Sequence, residues 1–292
     1  MADGAVDFRA LARAVAAEGD LSAMVPVIEK ELLHYEILNV MDQAGHLDHL
    51  VFQGGTCLRT CYGAERFSED LDFAGGAAFD ADRLAGLAAT LERALTRRYQ
   101  VEVEVDPPSP REVGAGVRVE TWRIRVVTAA GRPGLPKQRI NIQVATVPAH
   151  TKAVRPLGVR YAGLPASYGH VLVHSESLTE ICADKLKAFL TSRFLRHRDL
   201  WDLQWIAAQP GFDTTGLRGL FERKVVDYGA AGELTAGARR LEQLGEIVGH
   251  RDFSAQLERF LPAAVIDRTL RRPAWRELLA TRVRALYQTV GL

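Results

Sequence analysis

Apolar positions along the 292 residues keep a helical period at both ends of the chain and a two-residue period in the middle. Residues 7–18 and 22–45 predict helices. In the second, Met24, Val27, Ile28, Leu32, Ile37, Leu38 and Met41 recur at steps that place them on one side. That helix leads into a short apolar strand ending near Phe52. Residues 80–98 predict a further amphipathic helix through Leu84, Leu87, Leu91 and Leu95. The period then changes. Val101, Val103 and Val105 alternate with Glu102 and Glu104, residues 117–127 alternate again, and Ile140, Ile142 and Val144 form a third set. Pro107-Pro108-Ser109-Pro110 and Gly131-Arg132-Pro133-Gly134 predict loops between these strands. From Ser177 onward the pattern is helical, broken near Pro210-Gly211 and Pro262. The expectation is an α/β (α+β) chain: a mixed sheet with flanking helices over residues 1–170, followed by a mainly helical lobe over residues 171–292.

Composition narrows the classes. A 47% hydrophobic content suits a globular protein with a proper core, and 37 basic against 36 acidic side chains leave a net charge of +1. No global field therefore recruits nucleic acid; any such contact must come from a local patch. Cys57, Cys61 and Cys182 are odd in number and lack finger spacing, which argues against structural zinc or a disulfide framework. With no basic start before an apolar run and no apolar run of membrane length, a cytoplasmic protein without a membrane anchor is expected.

The chemistry concentrates between Phe52 and Phe73. Gly54 and Gly55 allow the backbone to approach a phosphate closely, Thr56 adds a hydroxyl, and a helix over 56–62, stopped by Gly63, would aim its free amides at the anion. Residues 67–73 then predict a strand. On it, Asp70 and Asp72 share one face while Leu71 and Phe73 enter the core. Two carboxylates on one face suit Mg²⁺, which takes one or two of them together with phosphate oxygens and water. Such an ion could bridge a nucleoside triphosphate.

The stretch Val51, Phe52, Gln53, Gly54, Gly55, Thr56, Leu58, Tyr62, Gly63, Arg66, Phe67, Ser68, Asp70, Leu71, Asp72, Phe73 resembles the minimal nucleotidyltransferases, and within them the AbiEii/AbiGii toxins. Gln53 departs from the pattern, where many members carry lysine. The resemblance implies an NTP-dependent nucleotidyltransferase, with Asp70 and Asp72 as catalytic metal ligands and Gly54, Gly55, Thr56, Arg66 and Ser68 binding the nucleotide. It further implies a toxin of a toxin–antitoxin pair that modifies the 3′ end of tRNA and blocks translation, with a cognate antitoxin as partner. Two other readings stay open. The acceptor could be a protein side chain or a small molecule such as an aminoglycoside, or the chain could be a catalytically idle nucleotide-binding partner protein. The family often places a third carboxylate on a central strand, whereas Asn141 and Gln143 stand there in this chain, and an amide is no general base. Glu120 and Asp106 are the fallback bases, each more simply read as a solvated surface acid.

A second constellation lies on the helix predicted over 177–194. Lys185 falls in its inward stripe of Leu178, Ile181, Cys182, Leu186 and Phe189, whereas Lys187 points roughly opposite. An inward lysine either snorkels to solvent or reaches phosphates, and the residues alone leave both readings open. The family pattern, matched by Glu180, Ile181, Ala183, Lys185 and Ala188 and then by Arg198, Asp199, Leu200, Asp202 and Leu203, implies that Lys185 and Asp199 are catalytic. In that reading the helical lobe completes the active site: Lys185 stabilises the triphosphate, Asp199 positions or deprotonates a group, and Asp202 pairs locally. Arg193, Arg196, His197 and Arg198 form the densest basic cluster, a candidate contact for RNA phosphates. Arg268, Arg271, Arg272, Arg276, Arg282 and Arg284 read as a solvated face paired with Asp267 and Glu277. Trp122, Trp201, Trp205 and Trp275 read as core.

Overall fold

The computed structural model describes residues 6–18, 21–114, 116–128 and 137–292. The chain divides into two compact units, one formed by residues up to Glu112 with Arg118–Ser175, the other by Val113–Val117 with Glu176–Leu292.

The first unit contains α1 (Phe8–Glu18), α2 (Val25–Gln43), β1 (Val51–Gln53), α3 (Gly54–Tyr62), β2 (Leu71–Ala74), α4 (Leu87–Tyr99), β3 (Glu102–Glu112), β4 (Arg118–Val127), β5 (Gln138–Ala145), β6 (Ala153–Pro156) and β7 (Leu172–Ser175). Its strands form a mixed sheet in the order β3-β4-β5-β2-β1-β7-β6. The β2/β5 and β1/β7 pairs run parallel and the rest antiparallel. The expected mixed α/β architecture is therefore observed.

Several boundaries differ from expectation, each for a local reason. Helix α3 begins at Gly54, two residues early, because Gly54 takes φ +77° and lets the chain turn from strand into helix at once. The segment 80–98 is broken at Gly86, which is left-handed (φ +80°), so only Leu87–Tyr99 is α-helical. The Pro107–Pro110 stretch is no loop: it lies inside β3, at the sheet edge, where a missing amide costs no ladder bond, and the register shifts between Asp106 and Ser109. The loop expected at Gly131–Gly134 lies outside the described residues.

Helix α2 carries the site's supports. It buries polar as well as apolar residues, among them Glu31, His34 and Glu36. Glu31 receives Arg59 of α3 through Nε at 2.7 Å and Nη2 at 3.0 Å, and also takes a short hydrogen bond from the Tyr161 hydroxyl. Arg59 continues to the carbonyls of Ala64 and Glu65 at 3.1 and 2.8 Å. A buried pair of this kind is costly to break, about 3–5 kcal/mol when one partner is lost. It fixes α3 and the following turn to one frame. Cys57 is buried in that frame and Cys61 partly so, as packing residues.

The second unit is helical: α5 (Leu178–Thr191), α6 (His197–Ala207), α7 (Leu217–Asp227), α8 (Ala231–Glu242), α9 (Leu244–Gly249), α10 (Arg251–Glu258), α11 (Ala263–Arg268) and α12 (Pro273–Val290). Ser177 caps α5 by accepting from the Glu180 amide at 3.2 Å. Trp122 and Trp201 are buried and Trp205 and Trp275 partly so, with Trp201 and Trp275 rings 5.0 Å apart. No helix among the described residues is long and apolar enough to cross a membrane.

Candidate functional site

The turn from β1 into α3 is built around what its glycines leave out. A Cβ on Gly54 would lie 2.7 Å from Oδ2 of Asp72, and one on Gly55 would lie 2.7 Å from Nη2 of Arg66 and 2.8 Å from Oγ of Ser68. The two missing side chains are thus the space in which Asp72, Arg66 and Ser68 converge on one backbone turn. The first-turn amides of α3 have no intrahelical carbonyl to bind, so the turn also offers donors to an anion. Arg66 is buried and donates Nη1 to the Phe67 carbonyl at 2.7 Å, which holds the guanidinium in place. The Thr56 hydroxyl is buried and donates to the Asp70 carbonyl at 2.5 Å, tying the helix to the carboxylate segment.

Strand β2 begins only at Leu71, not at Phe67. The residues before it spend their polar groups on side chains instead of a ladder. The Glu69 carbonyl lies 3.0 Å from His34 Nε2, and the Glu69 carboxylate pairs with Lys30 at 2.9 Å. Burial lowers the His34 pKa, so the ring is neutral and its Nε2–H donates to that carbonyl. The Asp70 carboxylate itself takes the place of a strand carbonyl: its Oδ1 accepts from the backbone N–H and from Nδ2 of Asn141, both at 3.0 Å. From Leu71 the ladder resumes. Leu71 and Phe73 are buried, and Asp72 faces the other way, in register with Gln53 on β1 and Gln143 on β5. Asp70 and Asp72 are both half-buried.

The same register removes one fallback base. Glu120 pairs with Val144, which pairs with Phe73, so its side chain leaves the sheet on the face opposite Asp72. Asp106 is held by Arg125 through two hydrogen bonds of 2.7 and 2.8 Å, and that guanidinium keeps its carboxyl below the usual carboxylate range. Neither is placed as a general base.

In the second unit Lys185 is buried and its Nζ lies 3.0 Å from Oδ1 of Asp199 and 2.6 Å from Oδ2 of Asp202. It does not snorkel. Asp199 also accepts a short ion pair from Arg196. Burial would push the Asp199 carboxyl up, but Lys185 and Arg196 overrule it and hold it well below the ordinary value. A carboxylate so held is a poor proton acceptor; it is suited to positioning its cations. Asp202 pairs locally with Lys185.

Sequence reasoning missed a neighbouring cluster. Lys187 does lie away from the Lys185 side, yet it too is buried, its Nζ 3.0 Å from the Tyr228 ring centroid and 3.5 Å from Asp184. Lys224 of α7 is fully buried and meets Glu176, Glu180 and Asp184 at 2.8, 2.7 and 3.0 Å. Burial alone would lower the Lys224 pKa, but the three carboxylates hold it above its ordinary value. Glu176 is the carboxyl raised, by burial and by Asp184. The helical wheel shows which side a residue takes but not that a second helix covers that side, and nothing around Lys224 in the sequence marks it.

The C-terminal arginines are largely engaged in structure. Arg271 pairs with Asp267 at 2.5 Å, and Arg276 donates to the Leu270 carbonyl and to Ser254 Oγ. Arg271, Arg276 and Arg284 border a cavity of about 630 Å³ between α9 and α12 that contains none of the site residues named above.

Comparisons with known proteins bear on the family and the fold. Residues 36–282 match the family model described as nucleotidyl transferase AbiEii toxin of type IV toxin–antitoxin systems. The fold is similar to the crystal structure of JHP933 from Helicobacter pylori, with a TM-score of 0.52 at 16% identity over 90% of this chain and 93% of that one. A second H. pylori structure, provisionally described as a nucleotidyltransferase, gives a TM-score of 0.50 at 17% identity, covering 90% of this chain and 96% of that one. No curated protein sequence is a significant match.

Proposed function

The chain belongs to the AbiEii nucleotidyl transferase toxins, and from that premise we propose that this NTP-dependent nucleotidyltransferase transfers a nucleotide to the 3′ end of tRNA and so blocks translation. The observation that supports the reading most is the turn at Gly54-Gly55, where Asp72, Arg66 and Ser68 meet at the head of α3. In the reaction the acceptor hydroxyl oxygen forms a bond to the α-phosphorus and gives up its proton to solvent, while the bond from that phosphorus to the bridging oxygen breaks and pyrophosphate leaves. The role of the turn is to hold the triphosphate: backbone amides and Ser68 donate to its oxygens, and Arg66 offsets charge that grows on the leaving group.

Asp70 and Asp72 fit a divalent cation by the chemistry of their donors. Both are half-buried hard oxygen ligands two residues apart, and two carboxylates completed by phosphate and water oxygens is the set Mg²⁺ takes. Mg²⁺ held there would supply electrophilic assistance at phosphorus. Asn141 orients Asp70, while His34 holds the carbonyl and Lys30 the carboxylate of the preceding Glu69. Lys185 is assigned as a counter-charge for the triphosphate, with Asp199 positioning its ammonium. The cognate antitoxin that a toxin of this family requires is a further partner. The protein is placed in the cytoplasm, where NTP and tRNA are found.

The test incubates the pure protein with Mg²⁺, total tRNA and each of the labelled NTPs in turn. Label on the RNA 3′ end, lost in Asp70→Ala, is the expected result. Absence of label on RNA with every NTP would sink the tRNA reading, and label on protein or on an added small molecule would redirect the acceptor.

A further inference from the structure

The turn between α5 and α6 presents an exposed aromatic ring among cations. Phe194 is 74% exposed and Leu195 42%, and the run from Thr191 to Arg198 contains Arg193, Arg196 and Arg198 with no acidic residue, in a chain whose net charge is only +1. The Arg193 guanidinium lies 5.3 Å from the Phe194 ring centroid. Both ends of the turn are fastened. Arg240 of α8 donates to the carbonyls of Phe189 and Ser192 at 2.5 and 2.6 Å, and α8 comes so close that a Cβ on Gly237 would collide with the Leu190 carbonyl. At the far end Arg196 is paired with Asp199, which Lys185 holds at 3.0 Å. Residues 193–195 project from a base fixed in place, and Arg196, itself half-exposed, is tied to that base by Asp199.

We infer that Phe194 is a stacking platform for an unpaired nucleobase of the RNA acceptor, with Arg193 taking an adjoining phosphate. The inference rests on the RNA-acceptor reading above and names the part of the chain that would grip the strand. Single-stranded nucleic acid alternates planar rings with negative charge, and it is bound by aromatic faces set among cations. A protein partner favours an aromatic anchor inside an apolar, desolvated surround. Phe194 has arginines on either side in sequence and only Leu195 as an apolar neighbour, which favours RNA. Duplex RNA keeps its bases stacked on each other and offers the platform only its ends, so the site selects unpaired strands. An Arg193 contact to phosphate adds affinity without sequence preference.

The experiment measures fluorescence anisotropy of a short labelled single-stranded RNA, and of the same strand in a blunt duplex, against the full-length protein at several salt concentrations. Phe194→Ala should weaken single-strand binding about 5- to 150-fold, the range set by one lost base–aromatic stack, and Phe194→Trp should retain it. Arg193→Ala should flatten the dependence of log affinity on log salt by about one phosphate contact. Because Phe194 is exposed, the melting temperature should not move. Phe194→Ala binding RNA within about twofold of wild type, less than any lost stack allows, overturns the stacking role and leaves the RNA acceptor standing. A wild-type protein that neither binds nor labels RNA overturns the acceptor reading and this inference with it. If Phe194→Ala keeps RNA binding but loses the co-expressed antitoxin, the patch is a protein interface and the inference fails.

Discussion

Replacing Asn141 by Ala removes one of the two hydrogen bonds that orient the Asp70 carboxylate. The backbone N–H and Nδ2 of Asn141 both reach Oδ1 at 3.0 Å, so the variant keeps the first and loses the second. A hydrogen bond to a charged group contributes about 1.5–3 kcal/mol, and the half-buried setting of both residues puts this one at the lower end. If that energy serves orientation, kcat falls about tenfold. KM for NTP should change little, because the turn at Gly54-Gly55 is untouched. Asn141→Asp supplies the carboxylate that the family often has on this strand, but it does so against Oδ1 of Asp70, where two like charges at about 4 Å cost up to about 4 kcal/mol near a protein surface. The pair would have to share a proton or a cation, so the variant should lose more activity than Asn141→Ala at neutral pH and regain part of it as pH or Mg²⁺ rises. Steady-state transfer of labelled NTP, with kcat and KM separated across pH, reads both variants. Asn141→Ala with kcat within about twofold of wild type, or Asn141→Asp more active than wild type at pH 7, would refute the positioning role.

Three further predictions follow from the structure. Gly55→Ala forces the ends of Arg66 and Ser68 aside, since its Cβ would lie 2.7 and 2.8 Å from them; KM for NTP should rise about tenfold while stability changes by under about 1 kcal/mol, and an unchanged KM would show that these side chains do not bind the nucleotide. Lys224→Met leaves Glu176, Glu180 and Asp184 without their shared cation and should cost the helical unit about 3–5 kcal/mol in urea denaturation, partly recovered by adding Glu180→Gln; a loss below about 1 kcal/mol would contradict the burial argument. Burial pushes the Lys187 ammonium down to about 8 from its ordinary 10.5, so between those values the unfolded chain binds the proton that the folded chain has lost. Stability should therefore rise with pH across that window by about 3 kcal/mol relative to Lys187→Met, whose difference curve should otherwise be flat.

The elements that carry the site were legible where one local rule decides them. Gly54 and Gly55 announce a turn, Gly63 ends α3 in the left-handed conformation at φ +91°, and the alternation of Leu71, Asp72 and Phe73 fixes which side Asp72 takes. Legibility fails where side chains substitute for backbone partners. Residues 67–70 have a strand's pattern but no ladder: Thr56 and His34 take the Asp70 and Glu69 carbonyls that a neighbouring strand would have used, and the Asn141 N–H on β5 goes to the Asp70 carboxylate instead of to a backbone carbonyl. Prolines suggested a loop at 107–110, and only the position of β3 at the sheet edge makes them tolerable. Lys224 lies beyond any one-dimensional signal: its three partners sit four residues apart, Glu176 just before α5 and Glu180 and Asp184 on it, but the lysine that meets them is some forty residues downstream.

Charge bookkeeping in the helical unit bears on how substrates are drawn in. Lys185 and Arg196 are matched by Asp199 and Asp202, so this quartet is neutral as a group. Its attraction for a distant triphosphate is correspondingly small, and the chain's net charge of +1 adds no long-range steering. In the role proposed for it, Lys185 would act only at contact range, as an ammonium whose position two carboxylates have already fixed at 3.0 and 2.6 Å. Fixing a cation beforehand removes the entropy cost that a flexible lysine would meet on binding, which is how buried pairs support catalysis when they add little net stability. The exposed Arg193 and the half-exposed Arg196 are different in kind: water already screens them, and their effect must show as salt dependence. NTP affinity weakly sensitive to salt, together with RNA affinity that falls with it, is the pairing that this distribution of charge requires.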